Sequence, residues 1–166
     1  MNKSKMIIIA IILFVVVLVF GVFYFWRIVL SKEPNPLLTK SQLHVGNAIF
    51  TVEMATTTVE QARGLSFRPN LANGTGMLFP FSPGIQNFWM KDMNFSIDII
   101  WISGNKVVGF AQNAAPQPGV PLWGLTIYTS PDGVDNVLEV NAGVVAKDNI
   151  AIGDPVVFGQ GVAGRQ

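Results

Sequence analysis

Hydrophobic and polar positions follow two different patterns along this chain. From Met6 to Trp26 the sequence reads MIIIAIILFVVVLVFGVFYFW, with no charge and no polar amide. That is about the length needed to cross a hydrocarbon core, and a buried core helix of that length would normally keep a polar face. The run ends on Tyr24, Phe25, Trp26 and Arg27. A cleaved signal would have a shorter apolar stretch ending in small residues, whereas bulky aromatics suit a membrane interface. The segment is therefore expected to be an uncleaved transmembrane anchor at 6–27, behind a short N-terminal tail at 1–5.

Beyond the anchor the period falls to two. AIFTVEMA alternates Phe50, Val52 and Met54 against Thr51 and Glu53, the pattern of a half-buried strand. Thr57 and Glu60 stand at capping-box spacing ahead of Gly64, which predicts a short helix. MLFPF, NFWM, IDIIWI, KVVGF and NVLEV predict strands. Pro80 would confine MLFPF to an edge or bulge. Ser103 to Asn105 predicts a tight hairpin turn. NAGVVAKDN predicts a turn or short helix, and IAIGDPVVF a final strand pair around Gly153 and Asp154. Many short strands with Gly/Pro turns and one small helix predict a mostly all-β sandwich or barrel. The expected organisation is a linker at 28–41 stiffened by Pro34 and Pro36, one β domain at 42–159, and a flexible tail at 160–166.

Charge refines this picture. Only 13% of the residues are charged, well below the roughly 25% of an ordinary soluble domain. Lys3, Lys5 and the amino terminus flank the apolar run on one side, and Arg27 and Lys32, offset by Glu33, on the other. The Lys/Arg count is tied, so the amino group and the short tail decide for a cytoplasmic N-terminus and a single-pass membrane protein with its domain outside the cytoplasm. From Asn35 onward seven basic residues face nine acidic ones, a net charge of −2. No basic stripe is left to hold phosphates, which argues against nucleic acid as a partner. The expected partners are the lipid bilayer, through the helix, and a small molecule or cell-envelope component.

The chain has no Cys, which removes disulfides, thiol catalysis and thiolate metal sites. Its one His, His44, lies beside the linker, ahead of the first expected strand, and no GxSxG motif occurs, so a nucleophilic triad is not expected. Asp132 and Asp135 in SPDGVDN lack the ligand pattern of a calcium loop and read as a turn. No cofactor or metal is expected.

Asp98 is the most informative charge. It sits in SIDIIWI between two largely apolar faces and should be paired or protonated. Its candidate partners are Arg63, Arg68 and Lys91, an Arg fork matching a carboxylate in two-point contact. A structural ion pair and a ligand pocket are both consistent with this pattern. Trp89, with Phe88, is a candidate aromatic wall for a ring-bearing or sugar ligand. Glu139 faces opposite Leu138 and Val140, either exposed or paired with a basic residue.

EQARGLSFR, GMLFPF, NFWMKDMNFSIDIIWI, VLEVNAG and IAIGDPVVF stand in the order and spacing of the DUF192 family, which the chain resembles over most of 49–158. The resemblance implies a compact jelly-roll-like or barrel domain, often behind a signal or anchor, and supplies no reaction. Many relatives carry a cysteine in the Pro-rich loop that here reads APQPGVPLWGLTIYTSPDG, so any role of that cysteine is absent. The leading expectation is a ligand-binding domain whose candidate site is Arg63, Arg68, Trp89, Lys91, Asp98 and Glu139. An envelope-polymer hydrolase using Asp98 with Asp92 or Glu139 is the alternative enzyme reading. A protein-docking module built on an exposed patch around Trp123 and Leu125 is the third.

Overall fold

The computed structural model describes residues 3–30 and 33–159. The expected 160–166 tail lies outside the described residues. The chain divides into two compact units, 1–33 and 34–166.

In the first unit, Lys3–Leu30 form one helix, α1. Its segment Met6–Trp26 is long and apolar enough to cross a membrane, and every side chain along it is exposed.

The second unit is mostly β. Its strands are β1 (Lys40–Val45), β2 (Ala48–Met54), β3 (Thr75–Gly84), β4 (Asn87–Phe88), β5 (Ile97–Ser103), β6 (Lys106–Ala114), β7 (Tyr128–Thr129), β8 (Val134–Asn141) and β9 (Val156–Phe158). The short helices are α2 (Thr58–Arg63) and α3 (Val144–Lys147), with a 3-10 turn at Leu122–Gly124. Seven strands form one sheet in the order β6-β5-β8-β3-β2-β1-β9, and β4 and β7 form a separate ribbon. The sheet curls into a half-barrel. Val107 and Val156 donate their N–H groups to Asp154 and Asn105 at 3.0 and 2.8 Å, so the start of β6 meets the segment leading into β9.

Alternation places the two faces of the central strands in two cores. Leu78, Ile100, Ile102, Leu138 and Val140 pack with Leu43, Val45, Phe50, Val52, Val107 and Val156 inside the curl. Met77, Phe79, Ile97, Ile99, Trp101 and Val137 pack on the outer face with Leu38, Leu65, Met90 and Met93. Both faces of β5 are therefore buried, as its apolar run requires.

Several local expectations are revised. His44 lies within a strand, because β1 forms a hairpin with β2 through a turn in which Gly46 takes φ +55°. Asn35, in the expected spacer, is buried, and its Nδ2 donates to the carbonyls of Glu60 and Gly64 at 2.9 and 3.0 Å. Pro80 sits in an interior strand but beyond the last residue pairing with β2, where the β3–β8 register also shifts. IAIGDPVVF yields one strand rather than two. Gly153 takes φ +95° and Asp154 Oδ2 accepts the Ala151 N–H at 2.9 Å, closing 151–154 into a turn.

Candidate functional site

α2 forms where the spacing predicts it. The Thr57 hydroxyl accepts the Glu60 N–H at 3.2 Å, and Glu60 Oε2 accepts the Thr57 and Thr56 N–H groups, each at 2.8 Å. These donations, Thr57 first, hold the Glu60 carboxyl below its ordinary range. The helix ends at Gly64, whose φ +49° and ψ −132° suit glycine alone. A Cβ there would meet the Phe79 ring at 3.4 Å and Glu139 Oε2 at 3.8 Å. The missing side chain thus leaves room above the outer face of the sheet.

The β4–β7 ribbon faces this helix end. Thr129 Oγ1 donates to Asn87 Oδ1 at 2.8 Å, and Gln86 and Ser130 exchange two hydrogen bonds at 3.0 and 2.9 Å. Phe88 is fixed by edge-on contacts with Phe79, Trp101 and Phe81, with ring centroids 5.2, 5.6 and 6.2 Å apart. Between helix end and ribbon lies a cleft of about 190 Å³. Phe79 and Glu139 line it from the sheet, Arg63 and Gly64 from the helix, and Phe88 and Trp89 from the ribbon. Trp89 is 46% exposed, whereas Arg63 is buried.

Glu139 carries the unusual chemistry. It pairs with Met77 and Ile99 on neighbouring strands and is 5% exposed. Its Oε2 is buried and makes no hydrogen bond among the described residues. Burial pushes its pKa up to about 8, although the charge of Arg68 pulls the other way. At neutral pH this side chain is mainly a neutral carboxylic acid, able to donate as well as accept.

Of the six sequence-predicted site residues, three line the cleft: Arg63, Trp89 and Glu139. The other three do not. Arg68 makes a two-point pair with Glu53 on β2, at 3.0 and 2.6 Å. Lys91 contacts Asp92 and lines a different groove beneath the Pro-rich loop. Asp98 faces the interior of the curl, wholly buried, and its partner is backbone rather than Arg or Lys. Its Oδ1 accepts the Asn113 N–H at 2.8 Å and its Oδ2 the Val145 N–H at 2.9 Å. Asn113 lies in a bulge of β6 opposite Asp98, where the β5–β6 register shifts. Val145 lies in the first turn of α3, whose N-cap is Gly143, without a side chain to cap it. One carboxylate thus serves two amides that their own elements leave open.

Gly64 and Phe79, which line the cleft beside the buried Glu139 carboxyl, were not among the sequence-predicted site residues. The glycine after an Arg-ended helix was visible, but its distance from Glu139 was not.

Residues 41–158 match the sequence profile of DUF192, described as an uncharacterized ACR. The chain belongs to the DUF192 family. Two solved structures share its fold. A chain from Sinorhizobium meliloti 1021, described as a "putative transcription regulator", is 26% identical, with a TM-score of 0.67 over 75% of this chain and 98% of that one. A protein of unknown function from Novosphingobium aromaticivorans DSM 12444 is 29% identical, with a TM-score of 0.67 over 79% of this chain and 96% of that one. No curated protein matches this chain. Nearly the whole of each solved chain aligns with this one.

Proposed function

We propose that this DUF192 domain is a membrane-tethered, extracytoplasmic binding domain for a small polar or anionic ligand, held in the cleft between α2 and the β4–β7 ribbon. The observation that carries the reading is Glu139: a buried carboxyl with one unengaged oxygen, beside space left by a residue without a side chain. Buried polar atoms in folded domains are ordinarily satisfied, so a ligand group is a natural partner. Arg63 lines the same cleft, and Trp89 adds a flat, half-exposed wall. A few polar groups among aromatic walls is the usual make-up of small-molecule sites.

The anchor half of the proposal rests on Met6–Trp26 and the aromatics that close it. Protease added to cells with a permeabilised outer barrier should digest the domain, and full protection would reverse the orientation. The hydrolase alternative loses its central residue, because Asp98 is sealed from solvent with both oxygens bonded to amides. Direct contact with nucleic acid is disfavoured by the domain's net charge of −2.

The test is a thermal-shift screen of the 35–166 domain against neutral sugars, carboxylates, phosphates and amines, since a native-state binder raises the melting temperature by mass action. A stabilising compound whose effect is lost in Trp89→Ala and Glu139→Gln supports the cleft. If every stabilising compound acts equally on these variants, the cleft is not the site.

A further inference from the structure

The whole run from Val107 to Pro131 carries no Asp, Glu, Lys, Arg or His. Within it the tip at 118–125 reads PGVPLWGL, apolar throughout. The tip displays its side chains: Trp123 is 91% exposed, Leu122 64%, and Val120 is exposed too.

This loop is built rather than slack. The Gln117 amide clamps its base, donating from Nε2 to Thr126 Oγ1 at 3.1 Å and accepting the Thr126 N–H on Oε1 at 2.9 Å. Pro118 and Pro121 fix their own backbone angles. The Gly124 N–H reaches the Pro121 carbonyl at 2.8 Å, closing the 3-10 turn, and Leu125 tucks in as a buried foot. Leu122 and Trp123 are thus held outward before any partner arrives, so little ordering remains to be done on contact.

We infer that the 118–125 tip is a lipid-contacting finger, seating Trp123 and Leu122 in the headgroup region of a bilayer. The inference rests on the anchor reading above, because the same chain then supplies the bilayer. Only residues 27–34 separate the Met6–Trp26 segment from Asn35, which is bonded into the domain. A Trp ring, apolar with one N–H donor, suits the membrane–water interface. The tip itself carries no charged or polar side chain whose desolvation would oppose seating.

The chain has no cysteine, so a single Leu122→Cys accepts an environment-sensitive nitrobenzoxadiazole label without competition. The full-length protein would be reconstituted in phosphatidylcholine–phosphatidylglycerol vesicles. The label at 122 should emit to the blue, be quenched by doxyl-bearing lipid and resist aqueous iodide. A label at Asn105→Cys, in the exposed β5–β6 turn, should stay open to iodide. Trp123→Ala should shift the seated-to-free equilibrium about tenfold toward free. Protein that floats with the vesicles while its label at 122 is as iodide-accessible as that at 105 overturns the finger and leaves the anchor intact. Failure to float overturns both. Burial at 122 that rises with protein density and ignores doxyl lipid would identify a second copy as the occupant and also overturn the inference.

Discussion

Removing the charge of Glu139 while keeping its shape should make the domain more stable at alkaline pH, although it deletes an acid from a proposed binding site. In the folded domain burial raises this carboxyl from 4.5 to about 8. The folded state therefore holds a proton that the unfolded chain has released throughout that interval. Stability grows with pH only where the unfolded state binds more protons, so here it falls as pH rises. The contribution is fully present below about 4.5, declines between about 4.5 and 8, and is gone above the folded pKa. At roughly 1.4 kcal/mol per unit, the whole interval amounts to at most about 5 kcal/mol. Glu139→Gln keeps the side-chain volume and has nothing to titrate. Urea unfolding of the 35–166 domain between pH 5 and 9 should show wild type losing stability with a slope the variant lacks. The two should lie close together at pH 5, and the variant should lead by a few kcal/mol at pH 9. Parallel pH dependences, or a variant that is less stable at pH 9, would refute the picture of a buried neutral acid.

Further outcomes follow from neighbouring contacts. Arg68→Met removes the positive charge that partly offsets the burial of Glu139, so the Glu139 carboxyl carbon followed by NMR should titrate at higher pH than in wild type. Asp98→Ala leaves the Asn113 and Val145 amides without their acceptor, at about 1–3 kcal/mol each; a melting temperature within a degree or two of wild type would dismiss the strut. Gly64→Ala forces a side chain into a glycine-only conformation against Phe79, costing about 1–3 kcal/mol. The same variant should weaken any ligand found for the cleft more than Trp123→Ala does, and equal effects would place that ligand elsewhere.

The strands were legible because their periodicity reflects what each face buries. Phe50 and Val52 on β2, and Leu43 and Val45 on β1, all point into the curl, yet β1 escaped notice behind the prolines of the supposed spacer. The buried state of Asp98 was also legible from its apolar neighbours. Its partners were not, because a bulge amide and a helix N-terminus carry no residue signature. Glu139 shows the converse. Its alternation with Leu138 and Val140 correctly separates the two faces, but alternation alone implies an exposed side chain. The curled sheet buries both of its faces, so Glu139 occupies an apolar layer that only the three-dimensional arrangement creates. Arg68 was a candidate partner for Asp98 because an Arg fork matches a carboxylate, whereas the fold pairs it with Glu53 on β2.

Arg63, Trp89 and Glu139 line one cleft, proposed above to accept a ligand. The most direct measurement is NMR mapping of the 35–166 domain with any compound that stabilises it, following the Trp89 indole, the Arg63 side chain and the Glu139 carboxyl together. Saturable shifts are expected at all three with one common dissociation constant, while the buried Asp98 carboxyl stays still. Shifts confined to another surface, with these three unmoved at saturation, would contradict it.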